Sequence, residues 1–407
     1  MLTMMKLPGY AAGVSFSKYK ESFTMYKKIL LLYLCLFLTA CSNAPDPASS
    51  LLLDAKFDTE EFLPDYDFRN GVTKESRACE SEDAYYLLSD NNLYLHYLDK
   101  DTGTSGVLCG KPECSHSSIE CNAYLADGGN LMFYDGYVYW VQQGTLLYRM
   151  RPDGTERELV QSLRGGISNS VWLHRGYVYA VQAVSRVVEG ENQSLIRLTQ
   201  AILGDTDQEP KQILEVPGVD YFYQVAGNTV YLSVEGTIDS GDLTLYAYDS
   251  ASGDLQTLAQ TTLENEGDTQ DMRYIEDSIY FTVNYDDKSI IYRYDGALEP
   301  WQEIHPDHPS LTFFLGDSYF FGIIGRDDVV FALYDFEGNP LQNGQLISDP
   351  TLSREVWGFK LQLLSSDSVL VLLVGIGPGY PDLLYEIPLD PTQSPHLLLE
   401  FEENLRS

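Results

Sequence analysis

The sequence has few basic residues and no apolar stretch of the length that a transmembrane helix needs. Its 407 residues include 26 Lys and Arg against 60 Asp and Glu, which gives a formal net charge of −34. Such a surface repels phosphate backbones and anionic lipid headgroups, so we expect no nucleic-acid partner. The apolar run 29–38 is too short to cross a bilayer.

Signatures of the common enzyme classes are also missing. The sequence contains no G-x-S-x-G elbow, H-E-x-x-H helix, Walker loop or dinucleotide-binding glycine fingerprint. No catalytic residue is therefore predicted, and a ligand-binding or scaffold protein is favoured over an enzyme. Two alternatives stay open: a carbohydrate-active hydrolase or lyase with paired carboxylates, and a component of envelope assembly or sensing.

The N-terminus carries an export signal. Lys27-Lys28 precedes the apolar run 29–38, and the run leads into Leu38-Thr39-Ala40-Cys41. A basic region, a short apolar core and a small residue before cysteine are typical of a bacterial lipoprotein signal peptide. We predict cleavage after residue 40 and lipid on Cys41, with Met25 as an alternative start. The competing interpretation is a plain signal peptide with an incidental cysteine.

Lipid on Cys41 would anchor the chain to the extracytoplasmic face of the cell membrane. Residues 41–53 include a small, polar, proline-bearing stretch and are predicted to form a flexible tether. Residues 54–80 form an N-terminal extension that could supply a closing strand. We expect residues 81–402 to form the folded body, and we expect it to be a monomer.

The composition of that body favours β-strands. The chain has 30 Tyr and 17 Phe, and aromatic residues suit the pleated, half-buried surface of a strand. One pattern recurs: turn residues, an apolar residue, an aromatic or apolar anchor, then an alternating strand. The anchors are Tyr94, Tyr139, Tyr179, Tyr231, Tyr280, Phe320 and Leu370.

A second pattern follows each anchor, an apolar or aromatic pair before a turn that contains Asp and often Gly. Leu147-Tyr148-Arg149-Met150 before Asp153-Gly154 is one example. Each unit thus contains four short antiparallel strands in roughly 40–50 residues, the period of a propeller blade. A single meander cannot bury both of its apolar faces, but stacking around an axis buries them. The sequence therefore predicts an all-β fold, a β-propeller of seven four-stranded blades.

Closure of the ring is less defined by sequence. The chain enters on the innermost strand of the first blade and leaves on the outermost strand of the last, so no blade is shared between the termini. An extra strand from residues 54–80 would change the count to six or eight. The anchor aromatics are expected to pack between blades. A binding site is expected on uneven loops at one channel mouth, with Val184–Ser194 and Gly375–Asp382 as candidates.

Cysteine is scarce, and four cysteines remain besides Cys35 in the predicted signal peptide and the predicted lipidation site Cys41. Three of them share one segment with a histidine, in the pattern C-x4-C-x-H-x4-C; the full set is Cys79, Cys109, Cys114, His116 and Cys121. Two disulfides would suit an extracytoplasmic protein and leave His116 an ordinary loop residue. A structural zinc ion on three thiolates and one imidazole would leave Cys79 unpaired. Free thiols are the third alternative.

Taken together, three features resemble uncharacterised propeller-type lipoproteins of anaerobic Gram-positive bacteria. They are the segment Leu38–Cys41, the stretch from Cys109 to Tyr124 (Cys-Gly-Lys-Pro-Glu-Cys-Ser-His, then Cys-Asn-Ala-Tyr), and Leu147–Met150 with Asp153-Gly154. The resemblance covers essentially the whole mature chain. It implies a propeller fold and anchoring at the cell surface, and it carries no known activity. Separately from the resemblance, we expect the ligand to be a glycan or a protein.

Overall fold

The computed structural model describes most of the folded body. The described residues are 67, 77–89, 93–125, 128–163, 170–188, 190–236, 241–263, 268–285, 288–304, 312–316, 318–324, 329–346, 356–364, 367–375 and 380–401. The predicted signal peptide 1–40, the lipidation residue Cys41 and the tether 41–53 lie outside them.

The described chain is all-β and forms seven four-stranded antiparallel sheets, each made of four consecutive strands. Blades 1 to 4 contain β1 (Ala78–Glu80), β2 (Ala84–Leu88), β3 (Leu95–Asp99), β4 (Ser105–Val107), β5 (Gly128–Tyr134), β6 (Tyr137–Gln142), β7 (Leu146–Met150), β8 (Glu158–Ser162), β9 (Ser170–His174), β10 (Tyr177–Val188), β11 (Glu191–Ile202), β12 (Lys211–Pro217), β13 (Asp220–Ala226), β14 (Thr229–Glu235), β15 (Asp242–Asp249) and β16 (Leu255–Thr262). Blades 5 to 7 contain β17 (Asp268–Ile275), β18 (Ser278–Asn284), β19 (Ser289–Tyr294), β20 (Leu298–Ile304), β21 (Thr312–Leu315), β22 (Tyr319–Ile324), β23 (Val330–Asp335), β24 (Pro340–Gln345), β25 (Val356–Leu364), β26 (Ser368–Gly375), β27 (Asp382–Pro388) and β28 (His396–Phe401). The predicted seven-bladed propeller is confirmed.

The hydrophobic core lies between blades and is divided into several clusters. One cluster joins Met132 of blade 2 to Trp172 of blade 3 and Tyr221 of blade 4. Another joins Leu245 of blade 4 to Phe281 of blade 5. This distribution follows from the shape of a blade, because both faces of each sheet are apolar and only a neighbouring sheet can cover them.

In the part of the chain that the structure describes, the ring closes by side-chain contacts between blades 1 and 7, and no sheet combines strands from both ends of the chain. The first strand of each blade is innermost, and β1 lies against β25. The segment that supplies β1 falls within residues 54–80. Ser89 after β2 donates a 2.6 Å hydrogen bond to the buried Asp382 carboxylate at the start of β27. Leu87 packs in the same apolar cluster as Leu384.

Six of the seven anchors occupy equivalent places in the second strands of their blades, and one does not. The placed anchors are Tyr139, Tyr179, Tyr231, Tyr280, Phe320 and Leu370. Tyr94 instead precedes β3 and forms an isolated bridge with Tyr124. The equivalent residue of blade 1 is Tyr86, which pairs with Cys79. The anchor of blade 1 was predicted at the wrong residue because this blade has two consecutive aromatic segments. In addition, the short strand β1 shows little alternation of apolar and polar residues.

Turn chemistry places the hairpins as expected. Glycines with positive φ follow the third strand of several blades, including Gly103, Gly154 and Gly253. A β-bulge also recurs between the third and fourth strands, for example at Leu147/Tyr148 and Leu245/Tyr246. Bulges increase the local twist of the strands that carry them.

Blade 3 departs from its neighbours through one long hairpin. β10 and β11 have 12 residues each, and they pair along their whole length from Tyr177↔Ile202 to Val188↔Glu191. The sequence suggested an uneven loop at Val184–Ser194, whereas most of these residues continue the two strands. Within the described ranges, no helix has the length and apolar character required to traverse a bilayer.

Candidate functional site

An open cleft of about 400 Å³ lies between blades 4 and 5. Its volume falls within the range typical of small-ligand pockets. Among the described lining residues, every charged side chain is acidic and every aromatic side chain is a tyrosine. These side chains are Tyr231, Tyr274, Tyr294, Asp249, Asp254, Asp277 and Asp295.

The tyrosines of the cleft come from both of its walls. Tyr231 on β14 stacks against Tyr274 on β17 with ring centroids 5.3 Å apart and an interplanar angle of 13°. The Tyr274 hydroxyl donates a 2.9 Å hydrogen bond to Asp277 in the following turn. Burial, with a smaller contribution from Asp277, raises the pKa of Tyr231, so its hydroxyl remains protonated. The stacked rings of Tyr231 and Tyr274 thus join the blade 4 wall of the cleft to the blade 5 wall.

The carboxylates of the cleft lie in or next to turns, where loop residues hold their side chains. Asp249 accepts 2.8 Å hydrogen bonds from the backbone amides of Ala251 and Ser252. Asp295 is 3.2 Å from the guanidinium of Arg293. Each carboxylate has further acceptor positions, since two oxygens offer about four lone pairs. The cleft can therefore accept several hydrogen bonds from a donor-rich or cationic ligand.

The two loops predicted from sequence lie at the other end of the blades. Turns between the first and second strands, and between the third and fourth, share the end that carries the cleft. Val184–Ser194 and Gly375–Asp382 both join a second strand to a third, so they belong to the opposite end. Residues 376–379 of the second loop lie outside the described ranges. Gly375 donates a 3.0 Å backbone hydrogen bond to Asp382, which ties the ends of that loop together.

The predicted cysteine and histidine cluster is assembled in space. The ligand atoms of Cys109, Cys114, His116 and Cys121 all lie within 4.8 Å of one another. His116 Nδ1 is 3.5 Å from the Cys121 sulfur. Cys79 is outside this group and buried in β1, and all four of these cysteines are free.

The environment acts differently on the cluster thiols. Burial raises the pKa of the Cys121 thiol to about 12. Burial also acts to raise the pKa of Cys109, but hydrogen bonds from the backbone amides of Lys111 and Asn122 outweigh it and lower that pKa. Cys109 is therefore the thiol that loses its proton more readily.

Blade 2 holds the segment that carries this cluster. The Arg157 guanidinium donates to the carbonyls of Cys121, Asn122 and Tyr124 at 3.3, 3.1 and 2.8 Å. The same guanidinium lies 5.3 Å from the ring centroid of Trp140. On the blade 1 side, Leu95 donates a 2.8 Å backbone hydrogen bond to Ala123. The cluster is thus located at the junction of blades 1 and 2.

Tyr231 was predicted to pack between blades with the other anchors, and the cleft was not predicted. The anchors Tyr139, Tyr179, Phe320 and Leu370 are indeed fully buried. Tyr231 is half-buried and faces the cleft. The available signal was the acidic residue at the corresponding turns of both blades, Asp249 and Asp295, but such turns occur throughout the repeat.

No family model matches the sequence, and no curated protein matches it. Among solved structures, a puromycin hydrolase is 12% identical with a TM-score of 0.55, covering 86% of this chain and 57% of its own. A prolyl endopeptidase is 13% identical with a TM-score of 0.51, covering 82% of this chain and 50% of its own. A puromycin-hydrolyzing peptidase of Mycobacterium tuberculosis is 13% identical with a TM-score of 0.50, covering 83% and 56%. The chain spans about half the length of these enzymes, and the likeness concerns the fold alone.

Proposed function

We propose that this chain is a lipid-anchored binding protein on the extracytoplasmic face of the membrane, which holds a basic segment of a partner protein in the cleft between blades 4 and 5. The observation that carries the proposal is the lining of that cleft. Four aspartates and three tyrosines line a volume of about 400 Å³, and none of the lining residues that the structure describes is basic.

Charge complementarity supports a cationic ligand. Lys and Arg side chains can pair with carboxylates and can also lie over tyrosine rings, and the cleft offers both. The net charge of −34 adds a long-range field of the same sign, which attracts cations and repels polyanions. A pocket on a rigid ring needs little rearrangement to bind, so less free energy is lost on ordering.

The predicted lipoprotein signal supports the proposed location. The segment Leu38–Cys41 follows a basic and apolar run, and it is followed by a stretch of small residues that we predict to be a tether. Anchored in this way, the propeller would meet partners at or near the membrane surface, where an effective concentration gained by tethering strengthens modest affinities.

Peptide binding to the detergent-purified full chain tests the cleft. Fluorescence anisotropy would compare a short labelled peptide of alternating Lys and Gly with its Gln and Gly counterpart and with neutral oligosaccharides. We expect binding of the Lys peptide alone, weakened as salt rises because the charges are partly exposed. Binding of neutral oligosaccharides instead, or equal binding of the Gln peptide, would contradict a cationic ligand.

Matched variants locate the site. Asp254→Asn should weaken binding of the Lys peptide about tenfold, equivalent to about 1.4 kcal/mol. The control is Asp101→Asn, which removes the same charge from the corresponding exposed turn of blade 1. If both variants reduce affinity equally, the attraction comes from the overall charge of the protein and the cleft is not the binding site.

The anchor has a separate test. Mass spectrometry of the N-terminal peptide from membranes should show a diacylglyceryl group on Cys41, and Cys41→Ala should abolish both this modification and membrane retention. Cys35→Ala is the matched control, because Cys35 lies in the apolar run before the predicted cleavage point. An unmodified mature N-terminus would remove the anchor and leave the cleft proposal standing.

A further inference from the structure

The middle of the segment between blades 1 and 2 adds almost nothing to the apolar core, although the ends of the segment, with Leu108, Ala123 and Leu125, are buried. From residue 111 to residue 120 every side chain except those of Cys114 and His116 is exposed, and Ile119 is 73% exposed. Hydrophobic burial cannot hold residues 111–120 in one conformation, because their side chains face water in the folded state. A different kind of interaction must therefore order this loop.

We propose that Cys109, Cys114, His116 and Cys121 bind one zinc ion, which joins the outer edge of blade 1 to blade 2. This inference stands independently of the proposed binding function. Four protein ligands would complete a tetrahedral site and leave no position for water or substrate. The site would therefore be structural.

The geometry suits tetrahedral coordination. With Zn–S of about 2.3 Å and Zn–N of about 2.0 Å, neighbouring ligand atoms in a tetrahedron are roughly 3.5–3.8 Å apart. His116 Nδ1 and the Cys121 sulfur are already 3.5 Å apart. All four ligand atoms fall within 4.8 Å of one another, so small side-chain rotations bring the rest to ligand distance.

The backbone also positions the histidine. His116 has a φ of 53°, in the left-handed region that residues other than glycine seldom adopt. Such a conformation costs free energy and persists where the surroundings require it. His116 lies two residues after Cys114, so the turn at this position brings its imidazole back towards the thiols. The Lys111 ammonium donates to the Glu120 carbonyl and closes the base of this loop.

Disulfide formation is the competing chemistry in an oxidising compartment. The cluster contains three thiols, and all are free. One disulfide would leave a third thiol and His116 unused. Two disulfides would require Cys79, which is not among the converging groups. A metal ion uses every member of the cluster.

The proton balance of binding follows from the ligand set. Zinc binds thiolates and neutral imidazole, so each cysteine S–H that enters coordination releases one proton to solvent. Three thiolates around Zn²⁺ leave the site with one net negative charge. No electron transfer is involved, and the metal enters and leaves as the divalent ion.

Metal analysis of the full chain, purified in detergent without oxygen or chelator, tests the site. Elemental mass spectrometry should find about one zinc per chain, and removing it should expose thiols to a maleimide reagent. Growth with cobalt should give the strong visible absorption of tetrahedral thiolate-bound Co²⁺. Cys114→Ser should abolish that absorption. His116→Cys should retain a metal with an altered spectrum, since four thiolates also bind zinc.

Cys79→Ala is the matched control, because Cys79 is a buried cysteine outside the cluster, and it should retain all of the metal. The wild-type cobalt spectrum and thiol count do not depend on any variant folding. A chain with less than half an equivalent of zinc overturns the proposal. So does disulfide linkage among the cluster cysteines in the oxygen-free preparation, or iron in place of zinc.

Discussion

Asp67 and Arg175 form a buried, bidentate ion pair between the N-terminal extension and blade 3. The Arg175 Nε donates to one carboxylate oxygen of Asp67 at 2.7 Å, and a terminal guanidinium nitrogen donates to the other at 2.9 Å. A third donor reaches Asn228 at 3.0 Å. Arg175 is fully buried, so the pair attaches the extension to the turn of β9 and β10 and to blade 4.

Breaking this pair should destabilise the protein strongly. Asp67→Ala leaves the Arg175 guanidinium buried and partly unpaired, and we expect a loss of about 3–5 kcal/mol in the free energy of unfolding. Urea unfolding of wild type and variant measures it. The double variant Asp67→Ala, Arg175→Met should lose less than the two single losses added together. Additive losses would show that the two side chains do not interact.

Closure of the ring should depend on Ser89. Ser89→Ala removes the hydrogen bond to the buried Asp382 carboxylate, and a bond to a charged acceptor contributes about 1.5–3 kcal/mol. Ser233→Ala is the control, because this equally buried serine donates only a long 3.4 Å bond to a carbonyl within one blade. Hydrogen exchange in Ser89→Ala should accelerate first in β1, β2 and β27. Uniform acceleration around the ring would argue against a local closure point.

Acid should weaken the same junction through His96. Its ring contacts Phe401 of blade 7 edge-on at 5.1 Å, and burial lowers the pKa of His96 to about 4, with a smaller contribution from His116. Between pH 6.5 and 4 the unfolded chain binds more protons than the folded one. The stability from neutral His96 is therefore present above pH 6.5 and is lost as pH falls towards 4, by up to about 3 kcal/mol.

Two variants distinguish the effect of His96 protonation on stability from the general effect of acid on the protein. His96→Leu keeps an apolar side chain against Phe401 and should flatten the fall of unfolding free energy between pH 6.5 and 4. His396→Gln is the control, since half of that side chain is exposed. Chemical denaturation at a series of pH values gives the slopes. Equal slopes for His96→Leu and wild type would rule out His96 as the source.

Gly154 should tolerate no side chain, for a reason beyond its backbone conformation. Its φ is +78°, and an added Cβ would lie 2.5 Å from the backbone nitrogen of Gly110. Gly136 has a similar φ of +74° with nothing within 4 Å, so Gly136→Ala measures the conformational cost alone, about 1 kcal/mol. Gly154→Ala should cost at least about 1 kcal/mol more and expose Cys109 to a maleimide reagent. Equal costs would show that Gly110 moves away freely.

The parts of the fold that could be anticipated are those where one local pattern decides the structure. Asp153-Gly154 encodes a turn because glycine reaches a positive φ without steric cost, and the repeated anchors encode strands that face neighbours. The strands of blade 1 were not predicted correctly because β1 has three residues, which are too few to give a periodic pattern. The cysteine and histidine spacing predicted a shared location, since its members lie within one short segment.

Some features depend on residues that are far apart in the chain. The cleft joins Tyr231 of one blade to Tyr274 of the next, and no local pattern marks Tyr231 as different from Tyr179. The pairing of Asp67 with Arg175 spans 108 positions, and that of Ser89 with Asp382 spans 293. Contacts at such separations depend on how the blades stack.

Local sequence patterns are sufficient to specify the repeating unit, its turns and the grouping of three thiols with one imidazole, because each follows from steric and hydrophobic preferences within a few dozen residues. The blade count, the place where the ring closes, the anchor that is half-exposed and the end of the blades that carries a cleft became clear from the assembled fold. Those outcomes depend on the rotation of one sheet against the next, and that rotation is set by side chains from different blades packing together.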